Sequence, residues 1–209
     1  MSTVLVLNSS VLSDASVSRQ LVAETVSSLR NIEPSIRVIE RDLAADPVPH
    51  FGPDAAVGVR GTETMNTAQA TARTLSDELL NEVREAGTLV IGAPMYNFGI
   101  PSTLKSWFDY ILRPGIAFRY SDAGPEGLLK GKRAIVILSR GGLYSEGPAA
   151  PMDSQQPHLR TLLGFVGITD VTFILAEKLG LGPEAREISL QAATRQIELA
   201  IAHERAEAA

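Results

Sequence analysis

The stretch Ala93-Pro94-Met95-Tyr96-Asn97-Phe98-Gly99-Ile100-Pro101 carries the residue types needed to hold a flat polar ring. Met95, Tyr96 and Phe98 offer broad contact surface, and the Asn97 amide sets a donor beside an acceptor, as the imide edge of a planar heterocycle requires. Two prolines restrict the backbone on either side of this polar and aromatic centre. The competing reading is an ordinary loop whose aromatics pack on the core.

A second candidate is the serine-rich run Asn8-Ser9-Ser10-Val11-Leu12-Ser13-Asp14-Ala15-Ser16-Val17-Ser18. It opens a helix whose apolar stripe is Leu21, Val22, Val26 and Leu29, reaching about Arg30. Hydroxyls and unpaired N–H groups converge there with roughly half a positive charge from the helix dipole, which suits a phosphate. N-capping by Ser16 or Ser18 explains the same serines without a ligand. The run has no glycine and no lysine, so it is not a triphosphate cradle of the G-x-x-x-x-G-K-[ST] type, and a phosphate monoester fits better. The third candidate is Ser139-Arg140-Gly141-Gly142, where paired glycines allow a close backbone approach to a ligand, although glycines also serve such turns for conformational reasons alone.

These segments need elements to hold them. Residues 4–7 form an unalternating apolar run, the mark of a central parallel strand. Residues 35–40 read as a second strand, 88–92 as a third, 134–138 as a fourth and 171–176 as a fifth. Helices are predicted to about residue 30, over 67–86 with Gly87 as a C-terminal cap, over 102–112, over 158–166, and from Pro183 to about residue 206. Residues 41–53, with three prolines, open a long surface excursion running to about residue 67, residues 113–127 read as a turn-dense loop, and residues 143–157 as a mobile flap. Gly180-Leu181-Gly182-Pro183-Glu184-Ala185 resembles a dinucleotide fingerprint, but only one helix follows it, so no βαβ unit can be completed.

Strands alternating with helices predict a single α/β domain over residues 1–209, a doubly wound five-stranded parallel sheet of order 2-1-3-4-5 with helices on both faces. Serines after the first strand, where a dinucleotide fold needs glycines, favour the flavodoxin-like variant with FMN at the switch point between the first and third strands. Composition narrows the classes further. The net charge of −5, with Lys and Arg scattered, argues against a nucleic-acid partner, and the lack of cysteine excludes disulfides, thiolate metal sites and a cysteine nucleophile. His50, His158 and His203 lack metal-ligand spacing and read as solvent-facing, so no metal is expected. No apolar run is long enough to span a membrane and no basic flank precedes residues 4–7, so a cytoplasmic protein is expected.

Taken together, these motifs resemble the FMN-dependent NADH-azoreductases, flavodoxin-like quinone and azo-dye reductases of bacteria. The likeness covers nearly the whole chain. It rests on residues 4–7 with Ser9-Ser10 and Ser16-Val17-Ser18, on Arg41-Asp42-Leu43-Ala44, on residues 93–98, on Phe118-Arg119-Tyr120 with Gly124-Pro125-Glu126-Gly127, on residues 139–142, and on Leu163-Gly164-Phe165-Val166-Gly167-Ile168-Thr169-Asp170. The resemblance implies that Ser10, Ser16, Val17 and Ser18 hold the FMN phosphate, and that Met95, Tyr96, Asn97, Phe98, Ser139, Arg140, Gly141 and Gly142 hold its ring and ribityl chain. It assigns substrate contact to Phe98, Tyr120 and the Leu162 position, and makes the protein a homodimer with one FMN per subunit. Leu162 stands where relatives often carry phenylalanine, Tyr144 stands near a position that can be histidine, and the flap is a few residues longer; these departures bear on substrate preference.

The implied reaction is ping-pong. NADH delivers a hydride to the flavin and leaves, and a quinone or aromatic azo compound then takes its place and the electrons, with no side-chain acid or base required. The alternative on the same fold is a flavodoxin-type electron carrier, against which the two long excursions argue. A phospho-receiver domain would need clustered carboxylates after the first strand, and a serine hydrolase would need a glycine two residues before Ser139; the chain has neither. Arg60 could meet a nucleotide phosphate or be a solvated surface residue.

Overall fold

The computed structural model describes residues 2–61 and 66–207. Five parallel strands form the sheet: β1 (Thr3–Asn8), β2 (Arg37–Asp42), β3 (Thr88–Pro94), β6 (Arg133–Ser139) and β7 (Asp170–Ala176), in the order β2-β1-β3-β6-β7. The hairpin strands β4 (Phe118–Ser121) and β5 (Gly124–Gly127) intervene in sequence only, so the predicted order 2-1-3-4-5 is the one found.

Successive residues of the central strands enter opposite layers, because side chains alternate along a strand. Val4, Val6, Val90, Ile135 and Ile137 pack beneath α1 (Val17–Ile32) and α6 (Pro183–Glu207). Leu5, Leu7, Leu89, Ile91, Ala134, Val136 and Leu138 belong to the opposite core. That face is covered by α2 (Pro53–Arg60), α3 (Thr67–Glu85), α4 (Ser102–Ile111) and α5 (Gln155–Val166). Trp107 and Phe108 of α4 are fully buried, edge to face with ring centroids 5.0 Å apart, and so serve the core. The register pairs Leu7 with Ile91 and Ile91 with Val136, which brings the ends of β1, β3 and β6 to one edge of the sheet.

Several sequence expectations need correction. The excursion is not wholly irregular: Pro53 occupies the first turn of α2, a position that tolerates its missing N–H, and Ala55 and Val59 are buried against the core. Residues 62–65 of that excursion lie outside the described residues. Residues 118–127 fold as a hairpin with Gly124 at φ +108°, hidden in the sequence because its two short strands contain Gly and Pro and show no alternation. The second strand runs over 37–42, not 35–40, and α5 begins at Gln155, three residues early. Gly87 does not cap α3, which ends at Glu85 with Ala86 in an extended conformation; Gly87 instead donates its N–H to Thr3 O. Among the described residues no helix is long and apolar enough to cross a membrane, and no group of three His, Asp or Glu is placed to hold a metal ion.

Candidate functional site

The serine run ends in a helix start with spare donors. Ser16 is the N-cap of α1, its Oγ accepting from Arg19 N at 3.2 Å and lying 3.1 Å from Ser18 Oγ, with both serines buried. Among the described residues the N–H groups of Val17 and Ser18 have no protein acceptor. A helix start with buried hydroxyls and open N–H groups suits an anion. N-capping therefore does not account for all of these groups. Ser9 ties the preceding turn to the sheet by donating to Gly92 O at 2.6 Å.

Ser10 links this loop to the second candidate. Its Oγ lies 3.3 Å from the Tyr96 hydroxyl, which also accepts from Val11 N at 3.1 Å. Tyr96 and Gly99 exchange both backbone hydrogen bonds at 3.1 Å around Asn97 (φ +48°) and Phe98 (φ +72°). Two consecutive left-handed residues define the tight turn usually built with Asn-Gly, and asparagine tolerates that conformation far better than phenylalanine does. The strained Phe98 is thereby held out of the core, 41% exposed. Its carbonyl accepts from Ser154 N and, at 2.7 Å, from Ser154 Oγ.

The turn after β6 lies alongside. Met95 N donates to Ser139 O at 2.8 Å, joining the two strand ends, and among the described residues the N–H groups of Gly141 and Gly142 are open. A Cβ on Gly142 would stand 3.0 Å from the Tyr144 ring, so a larger residue there would press on that ring. Tyr144 in turn meets Phe98 edge to face, with centroids 6.0 Å apart. The turn is backed by the segment after β7, in which Lys178 N donates to Gly142 O and Gly180 N to Gly141 O, at 2.8 and 2.9 Å. Gly180, the first glycine of the run that resembles a dinucleotide fingerprint, is thus occupied in supporting this turn, while Gly182 accepts from Arg186 N at the start of α6.

Arg140 does not face outward. Its guanidinium is fully buried and donates to Gln155 Oε1 at 2.9 Å, Glu177 Oε1 at 3.0 Å and Asp153 Oδ2 at 2.8 Å. Gln155 Nε2 passes the connection to Ala93 O at 2.8 Å, immediately before the Met95 to Phe98 turn. Burial raises the Glu177 pKa, but hydrogen bonds from Ser145, the Tyr144 N–H and Arg140 outweigh it and hold the carboxyl below its ordinary range. Residues 143–157 are therefore anchored through Glu177 and Asp153, not a free flap. No sequence motif marks Glu177, Asp153 or Gln155; the place of Glu177 just past the fifth core strand was the one available signal.

The expected substrate residues are dispersed. Tyr120 stands on the hairpin, 74% exposed, with its ring against Phe118 and not against Phe98. Leu162 is 9% exposed within the core cluster under α5, so its main role in this chain is packing. Arg60 lies over the Phe51 ring at 4.9 Å. His50 is exposed, whereas His158 is half-buried, its pKa lowered by burial and by Lys105; the side chain of His203 lies outside the described residues. Cavities of about 450 and 320 Å³ lie elsewhere, beside β7 and α6 and between α1 and β2. The converging open N–H groups and serine hydroxyls, not volume, single out the edge where β1, β3 and β6 end.

Comparison with known proteins gives a consistent result. A family model described as the flavodoxin-like fold matches residues 2–201. The FMN-dependent NADH:quinone oxidoreductase of Hyphomonas neptunium is 58% identical over 197 residues, 94% of each chain. The FMN-dependent NADH:quinone oxidoreductase 3 of Pseudomonas aeruginosa is 49% identical over 203 residues, 96% of this chain and 93% of that one. Among solved structures, an azoreductase from Bacillus anthracis superposes with a TM-score of 0.88 at 29% identity, covering 96% of this chain and 99% of its own. An FMN-dependent NADH-azoreductase from the same species, solved in complex with FMN, gives 0.87 at 26% identity, covering 97% and 99%.

Proposed function

The chain belongs to the flavodoxin-like family, and we propose that within it this protein is an FMN-dependent NADH:quinone oxidoreductase that also cleaves aromatic azo compounds to amines. The single observation that carries this reading is the joined set of turns: open N–H groups at the start of α1, tied through Ser10 and Tyr96 to a strained Asn97-Phe98 turn, beside an open Gly141-Gly142 backbone. These residues fit FMN at both ends. Ser10, Ser16, Val17 and Ser18 would hold the phosphate monoester, and the 95–98 and 139–142 turns would hold the ring and ribityl chain, with Arg140 supporting them from behind.

When bound, FMN would supply the redox chemistry between NADH and the acceptor, and the proposed order is ping-pong, the two substrates using the site in turn. The chain's own work is placement. The open N–H groups would hydrogen-bond and orient the phosphate, the left-handed turn would present Asn97 and Phe98 to a planar ring, and Tyr144 with Phe98 would shield that ring from water. Phe98, Tyr120 and the exposed remainder of Leu162 are the proposed substrate contacts.

We further propose a cytoplasmic homodimer with one FMN per subunit. Phe98 and Met152, 41% and 48% exposed, meet at Ser154, whose N–H reaches both of their carbonyls, and with Tyr120 on the hairpin, 74% exposed, they give apolar surface that a second copy would cover. Initial rates with NADH and menadione both varied test the activity and its order together. Parallel double-reciprocal lines are expected; intersecting lines would contradict ping-pong order, and no turnover would favour a flavodoxin-type electron carrier.

A further inference from the structure

We propose that Glu177 is a positioning residue whose carboxylate latches residues 144 and 145 so that the Tyr144 ring forms a fixed wall of the flavin and substrate site. The proposal rests on the reductase reading given above. Glu177 lies immediately after β7 and is only 8% exposed. Its Oε1 accepts from Tyr144 N at 2.9 Å, Ser145 N at 3.1 Å and Arg140 Nη1 at 3.0 Å, while Oε2 accepts from the Ser145 hydroxyl.

A buried ion pair is weak evidence for stability, since apolar residues of similar volume commonly do as well. A carboxylate offers something they cannot, a single acceptor for two consecutive main-chain N–H groups. Residues 143–149 form neither helix nor strand, and among the described residues no other hydrogen bond ties them to the sheet. Remove that acceptor, and among the described residues Tyr144 and Ser145 keep no hydrogen bond of their own, leaving the Tyr144 ring its edge-to-face contact with Phe98 while Gly147 and Ala149 stay tied to Ala150 and Met152.

The latch also sets a spacing. The guanidinium that holds Glu177 reaches the 95–98 turn through Gln155 and Ala93 O, so one buried cluster fixes both the Phe98 side and the Tyr144 side of the aromatic pair. Glu177 touches neither ring. A latch that acts on the Tyr144 wall makes Glu177 and Tyr144 thermodynamically coupled, whereas an effect relayed through Arg140 and Gln155 to the 95–98 turn would not depend on Tyr144.

The test is a double-mutant cycle of Glu177→Ala and Tyr144→Ala in the FMN-loaded protein, with Glu177→Gln as the conservative variant. Glu177→Ala is expected to raise the KM for menadione about tenfold, in keeping with loss of a charge-assisted hydrogen-bond set, while kcat changes about twofold or less. In the Tyr144→Ala background the same change should add little. Glu177→Gln, whose amide oxygen can still accept from both N–H groups, should recover most of the loss. Equal KM factors in both backgrounds, or a glutamine variant no better than alanine, would overturn the proposal. A readout free of activity and of variant folding is hydrogen exchange in the unmutated protein: the Tyr144 and Ser145 amides should exchange at least about tenfold more slowly than those of Glu146 and Gly147, and equal rates would also overturn it. If the protein bound no FMN, the reductase reading would fail while the exchange arm still judged the latch.

Discussion

Ser18 separates phosphate binding from helix capping more cleanly than Ser16, because Ser16 already accepts from Arg19 N as the N-cap. Ser18 Oγ is buried and, among the described residues, reaches only Ser16 Oγ, which leaves it able to serve an anion beside two open N–H groups. Ser18→Ala should weaken FMN about tenfold, roughly 1.4 kcal/mol, and leave riboflavin, which lacks the phosphate, unaffected. Fluorescence titration of both flavins checks this, and equal losses would move the phosphate elsewhere. At this scale the serines and the 95–98 turn were legible because they stand next to one another in sequence. Glu177, Asp153 and Gln155 were not, because their partner Arg140 is remote along the chain and long-range ion pairs leave no local pattern.

The hairpin that carries Tyr120 is seated by two glycines. A Cβ on Gly127 would stand 2.1 Å from Gly167 N, and Gly167 closes α5 at φ +98°, where it is itself needed. Leu129 N continues the contact by donating to Val166 O at 2.8 Å. Gly127→Ala must therefore push the hairpin off the end of α5, at a cost of about 1–3 kcal/mol. If Tyr120 contacts substrate, the same variant should also raise the acceptor KM severalfold while leaving FMN affinity unchanged; thermal unfolding and steady-state rates would show both effects. Continuous apolar runs, as in β1 and β3, and helices with strong apolar periodicity, as in α1 and α3, were readable from sequence. The hairpin and α2 were not: their short lengths and Gly and Pro content look like loop, and packing against α5 and α3 decides their structure.

Over the whole molecule, the parallel sheet brings the ends of β1, β3 and β6 to a common edge, so three remote segments become neighbours without any of them touching in sequence. Strand order followed from strands alternating with helices and from serines where a dinucleotide fold needs glycines, but the joining contacts Ser10–Tyr96 and Met95–Ser139 are visible only in three dimensions. The most direct test of the central claim is the visible absorption spectrum of the purified protein supplied with FMN, followed through an anaerobic NADH titration and then addition of menadione. The expected result is a bound-flavin spectrum that NADH bleaches, about one NADH per FMN, and that menadione restores. A protein that leaves FMN unbound, or a bound flavin that NADH cannot bleach, would contradict the assignment of this edge as a reductase site.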